Sequence, residues 1–368
     1  MALLLTDIEW GEPLLPVVDD PAWKAEVASR GGLPSATIDL RTAPLPWLRE
    51  YCFAARTSFY SLSAMPDHLF PLVAMVVAQE NACRYCYGLN RALLKILGHS
   101  DAFIDGVERD LRLAELDEKE RAVLAFCRNL ARSRPRPARA EAERLVALGY
   151  APLAVAEIAA CVAGSCFYNR VITMTACPPQ ADIEAASRGP LDVLKSIASG
   201  FLQGIAARRQ ATRHVVPPER AALAAGPFGA VVATLTGLPA GAALRAAVDG
   251  AFASPVLSRT AKVLMFAVVA RALGCAGTEA EARRLLKGEG LEDREIDEAL
   301  STLRSDRLVG RESGLLAWAR ETVSYQTPVI QKQARALAAT LGDDVALLEA
   351  IGVAALANGV VRLAMLLE

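Results

Sequence analysis

The stretch from residue 76 to residue 90 reads VVAQENACRYCYGLN and places two cysteines, Cys83 and Cys86, three positions apart. Residues at this spacing lie on the same side of a helix, so the two thiols can form a disulfide with little backbone movement. A thiol at a helix N-terminus also ionises more easily, because the unpaired backbone N–H groups and the helix dipole stabilise its thiolate. The spacing therefore predicts a redox dithiol at the start of a helix.

Two other uses of a Cys-x-x-Cys pair remain open. A structural zinc site needs four ligands, but the sequence contains no second Cys-x-x-Cys pair and no His-x-x-x-His pair. Buried cysteines can also pack as small apolar side chains without any chemistry. The dithiol interpretation is favoured over both.

The composition favours helices and argues against a nucleic-acid partner. Hydrophobic residues make up 53% of the 368 residues but aromatic residues only 6%, so Ala, Leu and Val supply most of the apolar side chains. Strands would draw more heavily on β-branched and aromatic residues, so we predict an all-α protein. The formal net charge of -1 provides no basic surface for nucleic acid.

The sequence also indicates the cellular compartment. Eight cysteines in a chain of this length are too few for the dense disulfide framework of a small secreted domain. Residues 1–7 contain no basic segment and reach an acid before an apolar segment is complete, so no export signal is predicted. Residues 221–244 carry no charge, but their Ala, Gly and Pro content favours buried helices over a membrane span. We expect a cytoplasmic protein without membrane contact.

The second half of the sequence repeats the first at a constant shift of 192 positions, without a gap over most of a domain. Such a shift predicts a tandem duplication. The residues that carry the dithiol motif are only partly retained in the second copy. Glu80, Cys83, Cys86 and Asn90 correspond to Ala272, Cys275, Thr278 and Ala282. Only the first copy can therefore support dithiol chemistry, and the second is predicted to be a degenerate structural partner.

Four parts of the chain follow from these patterns. We predict an extended N-terminal arm over residues 1–45 and a first helical bundle with the dithiol over 46–180. A partly helical connector over 181–234 and a degenerate second bundle over 235–368 complete the chain. Asp117 and Glu120 form a capping-box pattern at the start of one helix, and Pro152 stands in the first turn of another.

Residues 79–88, with Arg91-Ala92-Leu93-Leu94 after them, resemble the alkylhydroperoxidase D-like group of the carboxymuconolactone decarboxylase family. The segment from residue 156 to Arg170 is similar to the last core helix of that family. The resemblance extends over residues 45–180 and, through the repeat, more weakly over 235–368. It implies two tandem alkylhydroperoxidase D-like bundles that form a homo-oligomer, and a dithiol that reduces peroxides.

The resemblance also implies a role for each thiol. In the family, the second cysteine attacks the peroxide and the first resolves the product, which assigns attack to Cys86 and resolution to Cys83. Position relative to the helix N-terminus alone favours Cys83 as the more acidic thiol. The family has a histidine four residues after the second cysteine, where this chain has Asn90, an amide that cannot accept the thiol proton. Glu80 is then the nearest candidate base.

The expected activity is that of a thiol-dependent antioxidant peroxidase. It would reduce a small-molecule peroxide and be regenerated by a dithiol or thioredoxin-like reductant. No metal is expected, and no nucleotide or flavin cofactor, because no Gly-rich phosphate loop joins a strand to a helix. A carboxymuconolactone decarboxylase-like enzyme is one alternative, although that reaction does not need two thiols. A weakly active or non-catalytic stress or interaction protein is the other, because the family's histidine is missing.

Overall fold

The computed structural model describes residues 3–30, 36–57, 62–132, 139–188 and 216–367. Over these residues the regular structure is helical and contains no strand, which confirms the all-α prediction. The helices of the first half are α1 (Pro21–Ser29), α2 (Thr37–Arg41), α3 (Pro46–Thr57), α4 (Leu69–Glu80), α5 (Arg84–Ile96), α6 (Asp101–Arg109), α7 (Glu118–Ala131), α8 (Arg139–Ala147), α9 (Pro152–Met174) and α10 (Ala181–Arg188). Those of the second half are α11 (Arg220–Ala224), α12 (Gly229–Val232), α13 (Pro239–Ala253), α14 (Arg259–Leu273), α15 (Ala276–Gly288), α16 (Asp293–Thr302), α17 (Leu315–Glu321), α18 (Thr327–Leu341) and α19 (Asp344–Ala364).

Two helix starts follow directly from local sequence signals. The capping box at α7 is confirmed, because Asp117 accepts a hydrogen bond from the Glu120 N–H at 2.7 Å and donates its own N–H to the Glu120 carboxylate at 3.0 Å. Helix α9 begins at Pro152, as predicted. Proline has no backbone N–H, and this costs nothing in the first turn of a helix, where the N–H groups have no partner within the helix.

Helices α9 and α19 form the centre of the molecule and pack against each other. Their backbones come so close that a Cβ atom on Gly359 would lie 2.9 Å from the carbonyl oxygen of Ala163. Both helices are long and apolar enough to cross a membrane by length and composition. Their most apolar windows are 78% and 89% buried inside the protein, as is usual for the central helices of a compact core.

Helices of the second half recur at the spacing found in the sequence. Helices α5, α6 and α9 start at residues 84, 101 and 152, and α15, α16 and α19 each start 192 positions later. Glu157 accepts a hydrogen bond from the Met65 N–H at 2.6 Å, and Glu349 accepts one from the Leu257 N–H at the same distance. Both the donors and the acceptors of these two bonds are 192 positions apart.

Two buried arginines join the halves in a reciprocal way. Arg170 donates to the carbonyl oxygen of Val323 at 3.1 Å, and Arg362 donates to that of Ala131 at 3.2 Å. The two arginines are 192 positions apart, and so are the two carbonyls. An exchange of this kind is the property of an isologous contact about a two-fold axis. Tandem duplication as the origin of this arrangement stays a prediction.

The N-terminal arm differs from the expected extended segment. It contains α1 and α2, because Asp20 caps α1 by accepting a hydrogen bond from the Trp23 N–H at 2.9 Å and Pro21 occupies the first helical position. The arm packs on its own chain, where Trp10 Nε1 donates to the Cys177 carbonyl at 3.1 Å. Half of the predicted connector, residues 189–215, lies outside the described residues.

Candidate active site

The dithiol lies where the chain turns from α4 into α5. After α4 ends at Glu80, Ala82 adopts a left-handed conformation with φ of 47°, which turns the chain sharply. Cys83 is the N-cap residue of α5, and its Sγ accepts a hydrogen bond from the Cys86 N–H at 3.4 Å. The turn thereby places both thiols at the N-terminal end of α5.

The two thiols are free and adjacent. Their Sγ atoms lie 2.7 Å apart, and Cys83 and Cys86 are only 0% and 3% exposed. Burial, together with the contact to Cys83, raises the pKa of the Cys86 thiol well above its ordinary value. Cys86 is therefore protonated at neutral pH, and its nucleophilic form requires the removal of a proton.

A small cavity of about 90 Å³ lies beside Cys86. Phe70, Leu89 and Leu93 supply apolar wall. The polar side chains in its wall are those of Arg56, Asn90, Ser165, Tyr168 and Asn169. A volume of this size admits a molecule as small as hydrogen peroxide, given that a water in the liquid occupies about 30 Å³.

Two hydrogen-bond donors in this wall have no partner within the part of the chain that the structure describes. These donors are the Tyr168 hydroxyl and the Asn169 Nδ2, both buried and without a hydrogen bond to any described residue. Burial raises the pKa of Tyr168 well above its ordinary value, so the hydroxyl keeps its proton. Buried polar groups are nearly always paired, so these two donors are available to an oxygen atom that enters the cavity.

Neither donor was predicted as a site residue. Both stand near the end of α9, which is otherwise largely apolar and buried. A buried polar pair in such a helix was the signal available in the sequence, since polar side chains in a core require a partner or a function. Asn90, which was predicted, lies in the same wall as Cys86 and donates through Nδ2 to the Cys86 carbonyl at 2.8 Å.

Glu80 faces a different part of the molecule. Its carboxylate pairs with Arg132 at 2.9 Å and with Arg128 at 3.4 Å. It lines a second and much larger cavity of about 1010 Å³, whereas Cys86 and Asn90 line the small one. The structure therefore brings together Cys83, Cys86 and Asn90 but leaves Glu80 in the wall of a different cavity. Its role as a base stays a prediction.

The second half repeats this turn without the second thiol. Gly274 takes the left-handed position with φ of 71°, and Cys275 is the N-cap residue of α15. The Cys275 Sγ lies 3.2 Å from the Thr278 hydroxyl, which occupies the place of the second cysteine. A disulfide cannot form within this turn. In the part of the chain that the structure describes, no group of three or more His, Cys, Asp or Glu side chains is arranged to hold a metal ion.

Comparison with known proteins gives a remote structural match. No protein-family model matches the chain, and no curated protein matches it significantly. Among solved structures, it is similar to one described as the alkylhydroperoxidase AhpD core of an uncharacterized peroxidase-related protein from Ralstonia eutropha JMP134. The sequence identity is 20% and the TM-score 0.42, over 49% of this chain and 100% of that one. A match this remote assigns no function to the chain.

Proposed function

We propose that the protein is a thiol-dependent peroxidase that reduces a small peroxide with Cys83 and Cys86. One observation carries the proposal: two free, adjacent thiols, one of which borders a small cavity whose wall holds two hydrogen-bond donors without a partner among the described residues. The motif at residues 79–88 and its resemblance to alkylhydroperoxidase D-like proteins agree with it.

The reaction balances with two electrons from the dithiol. The Cys86 thiolate attacks the terminal peroxide oxygen, the O–O bond breaks, and the remaining oxygen leaves as an alcohol or water after taking up a proton. The Cys86 sulfenic acid is then attacked by the Cys83 sulfur, which forms the disulfide and releases water. A dithiol or thioredoxin-like reductant reduces the disulfide and is itself oxidised.

The cavity wall supplies binding and orientation in this scheme. Tyr168 and Asn169 donate hydrogen bonds to the peroxide oxygens, which orients the O–O bond towards Cys86 and stabilises the charge that develops on the leaving oxygen. The proximity of Cys83 limits the lifetime of the sulfenic acid, because the resolving sulfur is already in contact. Further oxidation of Cys86 is thereby disfavoured.

Single-turnover measurements with cysteine variants test this function. Cys86→Ser should abolish peroxide consumption. Cys83→Ser should consume about one equivalent and leave a sulfenic acid on Cys86 that reacts with dimedone. Cys275→Ser is the matched control, because this residue holds the place of Cys83 in the second half, and it should consume peroxide at the rate of the unaltered protein.

Two results would contradict the proposal. Peroxide consumption that survives Cys86→Ser would assign the chemistry to another group. An unaltered protein that consumes no peroxide over hours, with both thiols reduced at the start, would favour a non-catalytic stress or interaction protein.

A further inference from the structure

The large cavity of about 1010 Å³ lies where the two halves meet. Its wall includes pairs of positions separated by 192 residues, so equivalent segments of both halves face the same space. These pairs are Glu80 with Ala272, Ala131 with Val323, and Arg132 with Ser324. The cavity is therefore a product of the way the two halves are joined, and the proposed peroxide chemistry makes no use of it.

Positive charge predominates in the wall of this cavity. Four arginines line it, against two glutamates. The arginines are Arg132, Arg170, Arg271 and Arg320, and the glutamates are Glu80 and Glu321. The Glu80 carboxylate pairs with both Arg132 and Arg128, so its single negative charge faces two positive charges. Arg271 is paired with Glu279 at 2.6 Å, and Arg320 lies 3.8 Å from Glu321, so Arg170 is the one arginine of the wall without a carboxylate partner among the described residues. Its charge favours an anion in the cavity.

Arg170 is the most deeply buried of these arginines. It is 1% exposed, and its guanidinium donates four hydrogen bonds, to the carbonyl oxygens of Cys166, Thr322 and Val323 and to Asn81 Oδ1. A guanidinium has five N–H donors, so one is left over. Within the described residues, Arg170 has no carboxylate partner.

Arg362 is a second buried cation without a carboxylate partner in the described part of the chain. It donates to the Ala131 and Val323 carbonyls and to the carbonyl and side-chain oxygens of Asn358. Burial and the neighbouring Arg170 lower the pKa of Arg362 to about 9, which leaves it charged at neutral pH. Buried charges in proteins are normally paired with an opposite charge, and here two of them lack one.

We propose that the large cavity binds an organic oxyanion, a carboxylate or phosphate ester with an apolar body. The planar fork of an arginine matches both oxyanions, and Arg271 and Arg320 lie in the same wall as Arg170. Val268, Leu300 and Leu303 supply apolar surface for the remainder of the ligand. The site is distinct from the Cys86 cavity, with which it shares no lining residue.

Isothermal titration calorimetry with four probes tests the site. Octanoate and octyl phosphate should each bind saturably at one site, and the tighter of the two identifies the preferred oxyanion. Inorganic phosphate lacks the apolar body and octanol lacks the charge, so each should bind at least about tenfold more weakly than octyl phosphate. Binding of the octyl anions should weaken as salt is raised.

Variants locate the binding. Arg271→Gln combined with Arg320→Gln removes two partly exposed cations and should weaken the tighter octyl anion about tenfold or more. Arg294→Gln is the matched control, because Arg294 is exposed on α16 and does not line the cavity. Its affinity should stay within about twofold of the unaltered protein. Arg170→Lys keeps the buried charge but loses the fork, and should also weaken binding.

The proposal is overturned if neither octyl anion binds saturably, or if both bind the double variant as tightly as the unaltered protein. If octanol binds as well as octanoate, the charge of the ligand does not contribute to binding. If inorganic phosphate binds as well as octyl phosphate, the apolar body of the ligand does not contribute. None of these measurements involves peroxide, so failure here is separate from failure of the proposed peroxidase function.

Discussion

Deprotonation of Cys86 limits the chemistry at the scale of single residues. Because its pKa is raised, the thiolate fraction should grow about tenfold for each pH unit through the neutral range. Asn90 lies in the same cavity wall one helical turn away but cannot take the proton. Asn90→His should raise the rate of the peroxide reaction about tenfold or more at pH 7 and flatten its pH dependence, because imidazole titrates near pH 6.5. Stopped-flow measurements from about pH 6 to 9 would show this, and an unchanged profile would exclude base catalysis from this position.

Glu80 permits a second test at the same scale. Its carboxylate pairs with Arg128 and Arg132 and lines the large cavity, away from Cys86. Glu80→Gln should therefore keep the rate of the peroxide reaction within about twofold of the rate of the unaltered protein. The loss of these partly exposed ion pairs should lower the free energy of unfolding by about 1 kcal/mol. A tenfold slower peroxide reaction with unchanged stability would instead support Glu80 as the base that the sequence predicted.

The turn between α4 and α5 is the element on which the dithiol depends. Thr327 and Tyr325, from the second half, donate hydrogen bonds to the Ala82 and Asn81 carbonyls at 2.8 and 3.0 Å. They hold Ala82 in a left-handed conformation that glycine adopts more readily, and the second half has Gly274 at this position.

Two opposite substitutions, glycine for Ala82 and alanine for Gly274, test the backbone strain in the turn. Ala82→Gly should raise the free energy of unfolding by up to about 1 kcal/mol, and Gly274→Ala should lower it by about the same amount, because a left-handed residue with a Cβ atom costs about that much. Urea denaturation measures both. A destabilising Ala82→Gly would show that the turn is not strained and that the entropy of the unfolded chain dominates.

Helix starts were predictable because their causes are local. The Asp117 and Glu120 capping box and Pro152 act within one turn of the chain, so sequence alone contains the signal. The location of Glu80 was not predictable in this way. It lies three residues before Cys83, but the left-handed Ala82 turns the chain between them and its partner Arg132 comes from a distant segment.

The halves share one core at the scale of the whole molecule, which sequence periodicity could not show. The repeat predicts two similar bundles. It does not predict that α9 and α19 pack closely against each other, or that Arg170 and Arg362 each donate a hydrogen bond to a carbonyl of the other half. Contacts between distant segments depend on side-chain shape, which a repeat pattern does not contain. The unpartnered Tyr168 and Asn169 were missed for the same reason, because only the packed structure shows which polar groups lack a partner.

A pair of glycine substitutions tests this shared core. Gly359→Ala places a Cβ atom 2.9 Å from the Ala163 carbonyl and should destabilise the protein by about 1–3 kcal/mol, because the two helices must separate. Gly164→Ala is the matched control on α9. Its Cβ atom would meet nothing within 4 Å, so it should stabilise the helix by about 0.5–1 kcal/mol. Equal effects in urea denaturation would contradict the close packing of α9 on α19.

Peptide mapping after oxidation tests the dithiol itself most directly. The reduced protein is treated with one equivalent of hydrogen peroxide, its remaining thiols are alkylated, and its peptides are identified by mass spectrometry. We predict a disulfide between Cys83 and Cys86, with the other cysteines alkylated and one peroxide consumed per disulfide formed. A disulfide from Cys83 to Cys127, Cys161 or Cys166, or full alkylation of both Cys83 and Cys86 after the peroxide treatment, would contradict the account.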